Sequence, residues 1–157
     1  LSSTPNEWDM EYEDFLRSLK TARVIQGWIA ETGEDRLFEQ YGVTPGELRM
    51  RLDIADWLLY SSQELAFLLR KTELQKELRK LRLRVRYGIK EELLPLIRLK
   101  GVGRVRARKL WQANIRSLAE VRQTPLPALA RLVGDKVAED IRRQLGEEDS
   151  NNLTSGN

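Results

Sequence analysis

The sequence predicts an all-α protein, in which a helical bundle is followed by a helix-hairpin-helix domain. Apolar residues recur at helical spacing along most of the 157 residues, which favours helices throughout. Two Thr-Pro-x-Glu segments carry helix-start signals, and Gly101-Val102-Gly103 forms a tight turn between two helical patterns. We place the bundle at residues 1–86, the helix-hairpin-helix domain at 87–146 and a disordered tail at 147–157.

The bundle begins with Thr4-Pro5-Asn6-Glu7, whose cap, proline and glutamate predict a helix start. Helical spacing over 8–29 predicts one bent helix or two consecutive helices, with Gly33 as the terminator. A short acidic helix is expected over 34–40, and Gly42 ends it.

A long helix follows, because Thr44-Pro45-Gly46-Glu47 repeats the start signal and helical spacing continues to about Arg70. The predicted inner stripe of this helix comprises Leu48, Leu52, Ala55, Leu58, Leu59, Ser62, Leu65, Ala66 and Leu69. Leucines with Arg and Lys between them predict a further helix over 73–87.

In the second domain, the first hairpin helix is expected over 90–99 with a bend at Pro95, and the second over 104–112. Ser117 is expected to cap a short helix, and a loop at 124–127 leads into another. A second turn echoes the first through Leu129, Leu132, Gly134, Ala138 and Ile141. Its single glycine and its acidic residues indicate a degenerate copy that packs instead of binding.

Composition excludes several kinds of chemistry. The chain has no cysteine and no histidine, which excludes disulfide frameworks, zinc fingers and Ser-His-Asp triads. It also has no Gly-rich Walker loop, no signal peptide and no apolar run of membrane-spanning length. We expect no catalytic residue, metal or cofactor in this chain, and a cytoplasmic location.

Charge is distributed unevenly around a net value of +3. Residues 70–109 hold 15 Lys and Arg against 4 Asp and Glu, whereas residues 1–69 hold 6 against 13. Such a basic block is typical of a protein with a polyanionic partner, although a solvated basic helix has the same signature. Its position beside the glycine turn favours nucleic acid.

The glycine turn has the chemistry of a phosphate-binding hairpin. Gly101 and Gly103 let the main chain turn tightly and approach an anion, and unpaired amides begin the next helix there. Six cationic side chains surround the turn: Arg98, Lys100, Arg104, Arg106, Arg108 and Lys109. Nothing here reads base edges, so we expect binding that ignores DNA sequence and weakens steeply with salt. For Arg106 and Arg108, pairing with acids of the N-terminal part is an equal alternative.

Trp57 on the long helix is a second candidate. A tryptophan face can stack on any unpaired base, although most helical tryptophans are core residues. Met50 lies two turns before Trp57 on the same face, whereas Arg49 and Arg51 are offset from it. The other tryptophans are expected in the core, and the paired acids on solvated surface: Trp8, Trp28 and Trp111, and Glu91-Glu92 and Glu147-Glu148.

Residues 87–116 closely resemble the C-terminal part of archaeal superfamily 2 DNA repair helicases of the Hjm (Holliday-junction migration), HELQ-like type. Lys90-Glu91-Glu92-Leu93-Leu94 and Gly103-Arg104-Val105-Arg106-Ala107-Arg108-Lys109-Leu110 occur together in this segment. Residues 41–48 and 55–60 resemble the helical domain just upstream in that family. The resemblance extends from about residue 15 to 145, so we expect a piece of a longer protein.

This resemblance implies an ATP-dependent helicase that moves 3′ to 5′ on forked DNA, with ATP and Mg²⁺ bound by two RecA-like motor domains outside this chain. It implies a ratchet helix over 45–70 that lines the single-strand path, with Trp57 stacked on a base. Arg106-Ala107-Arg108 matches a family motif that contacts the emerging strand and restrains ATP turnover. The family's arginine two turns before the tryptophan is Met50 here, so Arg49 or Arg51 is expected to replace it.

The candidate DNA-binding residues are Arg49, Arg51, Trp57, Arg98, Lys100, Gly101, Gly103, Arg104, Arg106, Arg108 and Lys109. The expected partners are single-stranded and forked DNA and the RecA-like motor domains, with no membrane, and the chain is expected to be a monomer. Two rival functions are a module that docks on acidic protein surfaces and a junction nuclease. A nuclease needs clustered carboxylates, whereas the acids of this sequence are scattered.

Overall fold

A computed structural model describes the backbone of residues 4–154 and the side chains of residues 4–146. Within this described part there are eight α-helices, two short 3-10 helices and no strand, which confirms the all-α prediction. The chain divides into two compact units, residues 1–89 (unit 1) and 90–157 (unit 2). The division falls after Ile89, whereas the sequence predicts a boundary after Arg86.

Unit 1 contains α1 (Tyr12–Ile29), α2 (Glu34–Tyr41), α3 (Pro45–Leu68) and α4 (Thr72–Tyr87). A buried cluster of Val24, Leu37, Val43 and Leu48 forms the centre of its core, and Trp28, Tyr41 and Leu52 pack against it. The short acidic helix and its stop at Gly42 are confirmed, since Gly42 takes the left-handed conformation that ends α2.

The helix start at Pro5 is wrong, since α1 begins at Tyr12. The Asp9 carboxylate accepts a hydrogen bond from the Asn6 amide at 2.6 Å, which holds residues 6–9 in a turn instead of a helix. Trp8 is 90% exposed on this turn, so its predicted place in the core is also wrong. Past Ile29 the chain leaves the helix at Glu31, which has a positive φ, and Gly33 instead caps the start of α2.

Thr44 and Glu47 form the predicted capping box at the start of α3. The Thr44 amide donates to Glu47 Oε2 at 2.8 Å, and this bond holds the pKa of Glu47 below its ordinary value. The helix ends at Leu68 because Arg70 takes the left-handed conformation in the turn before α4.

Gly88 ends α4 at a position where a side chain is excluded. Its φ is +62°, and an added Cβ would lie 2.4 Å from Cε2 of Trp28. Trp28, which was expected in the core, is half-buried and packs against the core cluster, and its Nε1 donates to the Val85 carbonyl at 2.7 Å. This contact joins α1 to the end of α4.

Much of the predicted inner stripe of α3 is not in the core. Leu48 and Ala66 are buried and Leu52, Ala55 and Leu59 are half-buried, but Leu58, Leu65 and Leu69 are exposed. The helix packs mainly against α4, which covers a narrower strip than the stripe predicted from leucine spacing. An apolar surface therefore remains outside the core of unit 1.

Unit 2 contains the 3-10 helices Glu91–Leu93 and Leu96–Arg98, followed by α5 (Arg104–Gln112), α6 (Leu118–Gln123), α7 (Leu126–Val133) and α8 (Asp135–Thr154). The single helix predicted over 90–99 is wrong. Pro95 lacks the amide that would bond to the Glu91 carbonyl in an α-helix, and the Leu94 amide donates to that carbonyl at 3.0 Å instead.

Helices α5 and α6 agree with the sequence, whereas α7 begins at Leu126, inside the loop predicted over 124–127. α5 has its predicted bounds, and Ser117 and Glu120 form a capping box at the start of α6. Beyond Gly146, where the tail was expected, the backbone of residues 147–154 continues α8. Residues 155–157 of the predicted tail lie outside the described residues.

Candidate nucleic-acid interface

The first hairpin, residues 99–104, turns on Gly101. The Val102 amide donates to the Leu99 carbonyl at 3.1 Å, and Gly101 has a φ of +82°, a conformation that favours glycine. Val102 is buried, so the turn is anchored in the core of unit 2. Gly103 differs from Gly101, since its extended backbone suits any residue. The space around it is open, which leaves the start of α5 accessible.

Gln144 of α8 holds the hairpin through its side chain. Its Oε1 accepts from the Lys100 amide at 2.9 Å, and its Nε2 donates to the Lys100 carbonyl at 3.3 Å. The Lys100 amide is therefore used within the protein and is not available to a phosphate. Sequence reasoning missed Gln144, because a neutral residue 44 positions away carries no local signal.

Arg106 bridges the two glycine turns of unit 2. Its Nε donates to the Val133 carbonyl at 2.9 Å, and its Nη1 donates to the Gly101 carbonyl at 3.0 Å. Val133 ends α7 directly before Gly134, the glycine of the second turn. The guanidinium thus fixes the spacing of the two turns through main-chain contacts.

Arg108 pairs with Glu92, with Nη2 and Oε1 3.0 Å apart and both side chains about two-thirds buried or more. The expectation that Glu92 lies on solvated surface is therefore wrong. The alternative of pairing with an acid is realised for Arg108, although the acid belongs to unit 2 and not to the N-terminal part of the chain.

The other predicted cations of the hairpin lie at the surface. Arg98, Lys100 and Lys109 are exposed, and their side chains make no ion pair with another described residue. Arg104 is half-buried at the first position of α5. Trp111 is half-buried, and the guanidinium of Arg116 covers its ring at 5.0 Å from the centroid.

The second turn joins α7 to α8 through Gly134, whose φ is +94°. Leu129, Ala138 and Ile141 around it are buried, so this turn packs into the core of unit 2, and the absence of DNA binding there stays a prediction. Between the two turns lies a groove, which we name the hairpin groove. Its charged lining residues are Arg104, Arg106 and Lys109 of α5 and Arg131 of α7.

In unit 1, α3 presents an exposed apolar surface, which we name the α3 face. It consists of Met50, Ile54, Trp57 and Leu58, which follow helical spacing and are all more than half exposed. The Trp57 side chain is 65% exposed, so the default assignment of this tryptophan to the core is excluded. Asp53 is also exposed and lies between Met50 and Trp57 at helical spacing, so one carboxylate interrupts this otherwise apolar face.

The two arginines that flank Met50 lie in different surroundings. Arg49 is exposed and lines a groove with Asp53 and Asp56. Arg51 is half-buried, and its Nη1 is buried without a hydrogen-bond partner among the described residues. The structure therefore does not bring Arg51 to the α3 face.

Asp56, beside Trp57 in the chain, holds α3 against α4. It accepts from Nε and Nη2 of Arg82 at 3.0 and 3.1 Å and from Arg86 at 3.5 Å. Arg82 also lies over the Tyr60 ring, 4.7 Å from its centroid. The hydrogen bonds from Arg82 hold the pKa of Asp56 below its ordinary value. Part of the basic block thus serves internal contacts.

Among the described residues, no group of three or more Asp, Glu, His or Cys side chains is arranged to hold a metal ion. None of the described helices combines the length and the apolar character that a membrane crossing requires.

The first 88 residues match the family model described as archaeal helicase, domain 4. The chain belongs to this family. Residues 93–147 match a second model, the SAM-like helix-hairpin-helix tandem, in agreement with the two glycine turns of unit 2. The domain 4 match covers unit 1 almost completely, and the tandem match covers both turns of unit 2.

Relatives named ATP-dependent DNA helicase Hel308 confirm the resemblance to archaeal DNA helicases. The chain is 41% identical to the protein of Thermococcus kodakarensis over 150 residues, which are 94% of the chain and 13% of that relative. It is 44% identical to the protein of Caldivirga maquilingensis over 138 residues, 85% of the chain and 18% of that relative. The chain therefore spans less than a fifth of the length of these two relatives.

Proposed function

We propose that this chain is the C-terminal, DNA-handling region of an ATP-dependent 3′ to 5′ DNA repair helicase. It guides and grips single-stranded DNA as the strand leaves the motor. The observation that carries the proposal is the exposed Trp57 on a largely apolar helix face, in a chain whose other unit presents a cationic hairpin. Membership in the archaeal helicase family and the Hel308 relatives support the same function.

On the α3 face, Trp57 stacks on an unpaired base, and Met50 and Ile54 extend the apolar surface along the helix. Arg49, which is exposed one position before Met50, is the better placed of the two arginines for a backbone phosphate. Contact of Arg51 with DNA stays a prediction, and its partial burial favours a role inside unit 1.

In unit 2, the exposed cations Arg98, Lys100 and Lys109, together with Arg104, hold the backbone of the strand. Gly101 shapes the turn, and Gly103 leaves room for a phosphate at the start of α5. Arg106 and Arg108 support this surface through their contacts to main-chain carbonyls and to Glu92. The same Arg-Ala-Arg segment restrains ATP turnover by the motor.

The motor and its nucleotide lie outside this chain. The sequence contains no Gly-x-x-x-x-Gly-Lys-Ser/Thr loop, so its residues do not fit an ATP–Mg²⁺ site, and we derive no step through that group. The partners are single-stranded and forked DNA and the RecA-like motor domains, and the chain acts inside the cell as a monomer.

A forked-DNA binding titration at two salt concentrations tests this function. The double variant Arg106→Ala/Arg108→Ala should bind more weakly than wild type and show a flatter salt dependence, because phosphate contacts are lost or displaced. The control Arg17→Ala/Arg23→Ala removes two exposed charges from α1 and should behave like wild type. Unchanged affinity and slope in the hairpin variant would contradict the proposal. A chain that binds separated motor domains but no DNA would be an interaction module instead.

A further inference from the structure

The middle of α3 is anchored by few buried side chains. The two fully buried residues of the helix, Leu48 and Ala66, lie near its opposite ends, about 27 Å apart along the axis. Every residue between them is half-buried or exposed. Because apolar contacts are non-directional, a directional contact is needed to fix the rotation of this middle section about the helix axis.

Arg82 of α4 supplies such a contact. Its Nε and Nη2 donate to the two carboxylate oxygens of Asp56 at 3.0 and 3.1 Å, and its guanidinium lies over the Tyr60 ring, 4.7 Å from the centroid. Asp56 and Tyr60 are one turn apart on α3, so a single planar group contacts two successive turns of the helix. Only 25% of the Arg82 side chain and 23% of the Asp56 side chain are exposed, which limits competition from water.

Trp57 depends on the rotation of α3 for its direction. Its side chain makes no hydrogen bond or ring contact with another described residue, so no such partner fixes where the indole points. Trp57 follows Asp56 directly in the chain, which places the two side chains about 100° apart around the helix. While Arg82 holds Asp56 toward α4, Trp57 therefore lies on the exposed side of α3.

We propose that Arg82 is a positioning residue for base stacking, because it fixes the rotation of α3 that presents Trp57 to a base. This inference rests on the proposed function and deepens it. It assigns a cation of the basic block a role inside unit 1 instead of a contact to phosphate. Lysine cannot replace Arg82 in this role, because an ammonium group lacks the planar fork that pairs with both carboxylate oxygens and stacks on a ring.

The test is a double-mutant cycle in the 157-residue chain, with a fluorescent oligothymidylate as the probe. Arg82→Lys should raise Kd by about three- to tenfold, because Trp57 receives a base less readily. In the Trp57→Ala background the same substitution should change Kd by less than about twofold, since the contact that it positions is already lost. The slope of log K against log KCl should keep its wild-type value, because no phosphate contact is removed. The matched control is Arg79→Lys, at an exposed position of the same helix, which should change neither quantity.

Fluorine NMR of the chain labelled with 5-fluorotryptophan reports on Trp57 itself. Its resonance is identified as the one missing from Trp57→Phe, and oligothymidylate should shift this resonance in wild type. In Arg82→Lys without DNA, the same resonance should be broadened or displaced. Tyr60→Leu is a second variant, which keeps the ion pair and removes the ring contact. It should give a smaller rise in Kd that also disappears in the Trp57→Ala background.

An equal loss of affinity in both backgrounds would overturn the inference, because Arg82 would then act independently of Trp57. So would an unchanged Kd together with an unchanged Trp57 resonance in an Arg82→Lys chain that melts like wild type. Wild-type affinity in Trp57→Ala alone is a different result, since it would contradict the proposed stacking on α3 and not only the role of Arg82.

Discussion

The α3 face of unit 1 and the hairpin groove of unit 2 present opposite chemistry, and each is a candidate DNA-binding surface. The α3 face is apolar and aromatic apart from one carboxylate, while Arg82 and Arg86 nearby are paired with Asp56. The charged residues that line the hairpin groove are cations, while the aromatic Trp111 of unit 2 is half-buried under Arg116. We propose from this difference that unit 1 contributes mainly contacts to bases and unit 2 mainly contacts to phosphates.

The cations of the basic block at residues 70–109 have different surroundings. In unit 1, Arg82, Arg84 and Arg86 make contacts within that unit, whereas others of the block are exposed on α4 and before it. In unit 2, the exposed cations surround the glycine turn, where phosphate contact is proposed. Because counterions are released where cations contact phosphates, the proposed contacts predict that the salt dependence of binding arises mainly from unit 2.

Replacement of Trp57 is expected to have the largest effect on DNA binding. Trp57→Ala should weaken binding of oligothymidylate by about 1–3 kcal/mol, because one base loses its stacking partner. On an abasic strand the variant should bind like wild type, which a fluorescence anisotropy titration checks. The matched control is Trp8→Ala, which removes a tryptophan that is also exposed and does not lie on α3. Equal losses on both strands would break the assignment of this surface to bases.

Substitutions of the two glycines in the first hairpin should affect different properties, namely the stability of unit 2 and its affinity for DNA. Gly101→Ala should destabilise unit 2 by about 1–2 kcal/mol, because alanine is strained at a φ of +82°. Gly103→Ala should leave the melting temperature near that of wild type, since its backbone is extended and its surroundings are open, yet it should weaken DNA binding. Thermal unfolding and anisotropy measure the two effects. Wild-type affinity in a folded Gly103→Ala protein would contradict close approach of a phosphate there.

A smaller effect is expected from breaking the contact between Asp56 and Arg82, which holds α3 against α4. Asp56→Asn should lower the free energy of unfolding by about 1 kcal/mol at neutral pH, because the hydrogen bonds from Arg82 lose their charged acceptor. The pKa of Asp56 is lower in the folded state, so its contribution is present above the ordinary value of 3.8 and is lost as the pH falls through the folded value.

Denaturant titrations from pH 7 to pH 3 check this pH dependence. The difference in free energy of unfolding between wild type and Asp56→Asn should become smaller as the pH falls. Glu73→Gln serves as the control, because Glu73 forms an exposed pair with Lys76 on α4. A difference that grows on acidification would contradict the assignment of the stabilising charge to Asp56.

The sequence allowed prediction of features that depend on neighbours in the chain. The capping boxes at Thr44 and Ser117, the bounds of α5 and the two glycine turns all depend on residues within a few positions of each other. The failures arise where local signals compete or where partners are distant. Near Asp9 the structure has a turn where a helix start was predicted. Around Pro95 it has two short 3-10 helices where one α-helix was predicted.

The sequence indicated which segments carry the candidate site, but it did not indicate the hydrogen-bond partners of the site residues. Trp57 and three of the hairpin cations, Arg98, Lys100 and Lys109, lie at the surface, as their proposed roles require. The partners of three hairpin residues could not be predicted. Arg106 bonds to two main-chain carbonyls, Arg108 to a glutamate that was expected on solvated surface, and Lys100 to a neutral glutamine 44 residues away. Arg131 was missed because its place in the groove depends on how α7 packs beside α5.

The central claim is that unit 1 contributes mainly contacts to bases and unit 2 mainly contacts to phosphates, and the salt dependence of binding tests it most directly. The measurement is the slope of log K against log KCl for oligothymidylate binding by wild type, Trp57→Ala and Lys109→Ala. Trp57→Ala should bind more weakly with the wild-type slope, whereas Lys109→Ala should show a slope reduced by about 0.7. A flattened slope for Trp57→Ala together with an unchanged slope for Lys109→Ala would contradict the claim.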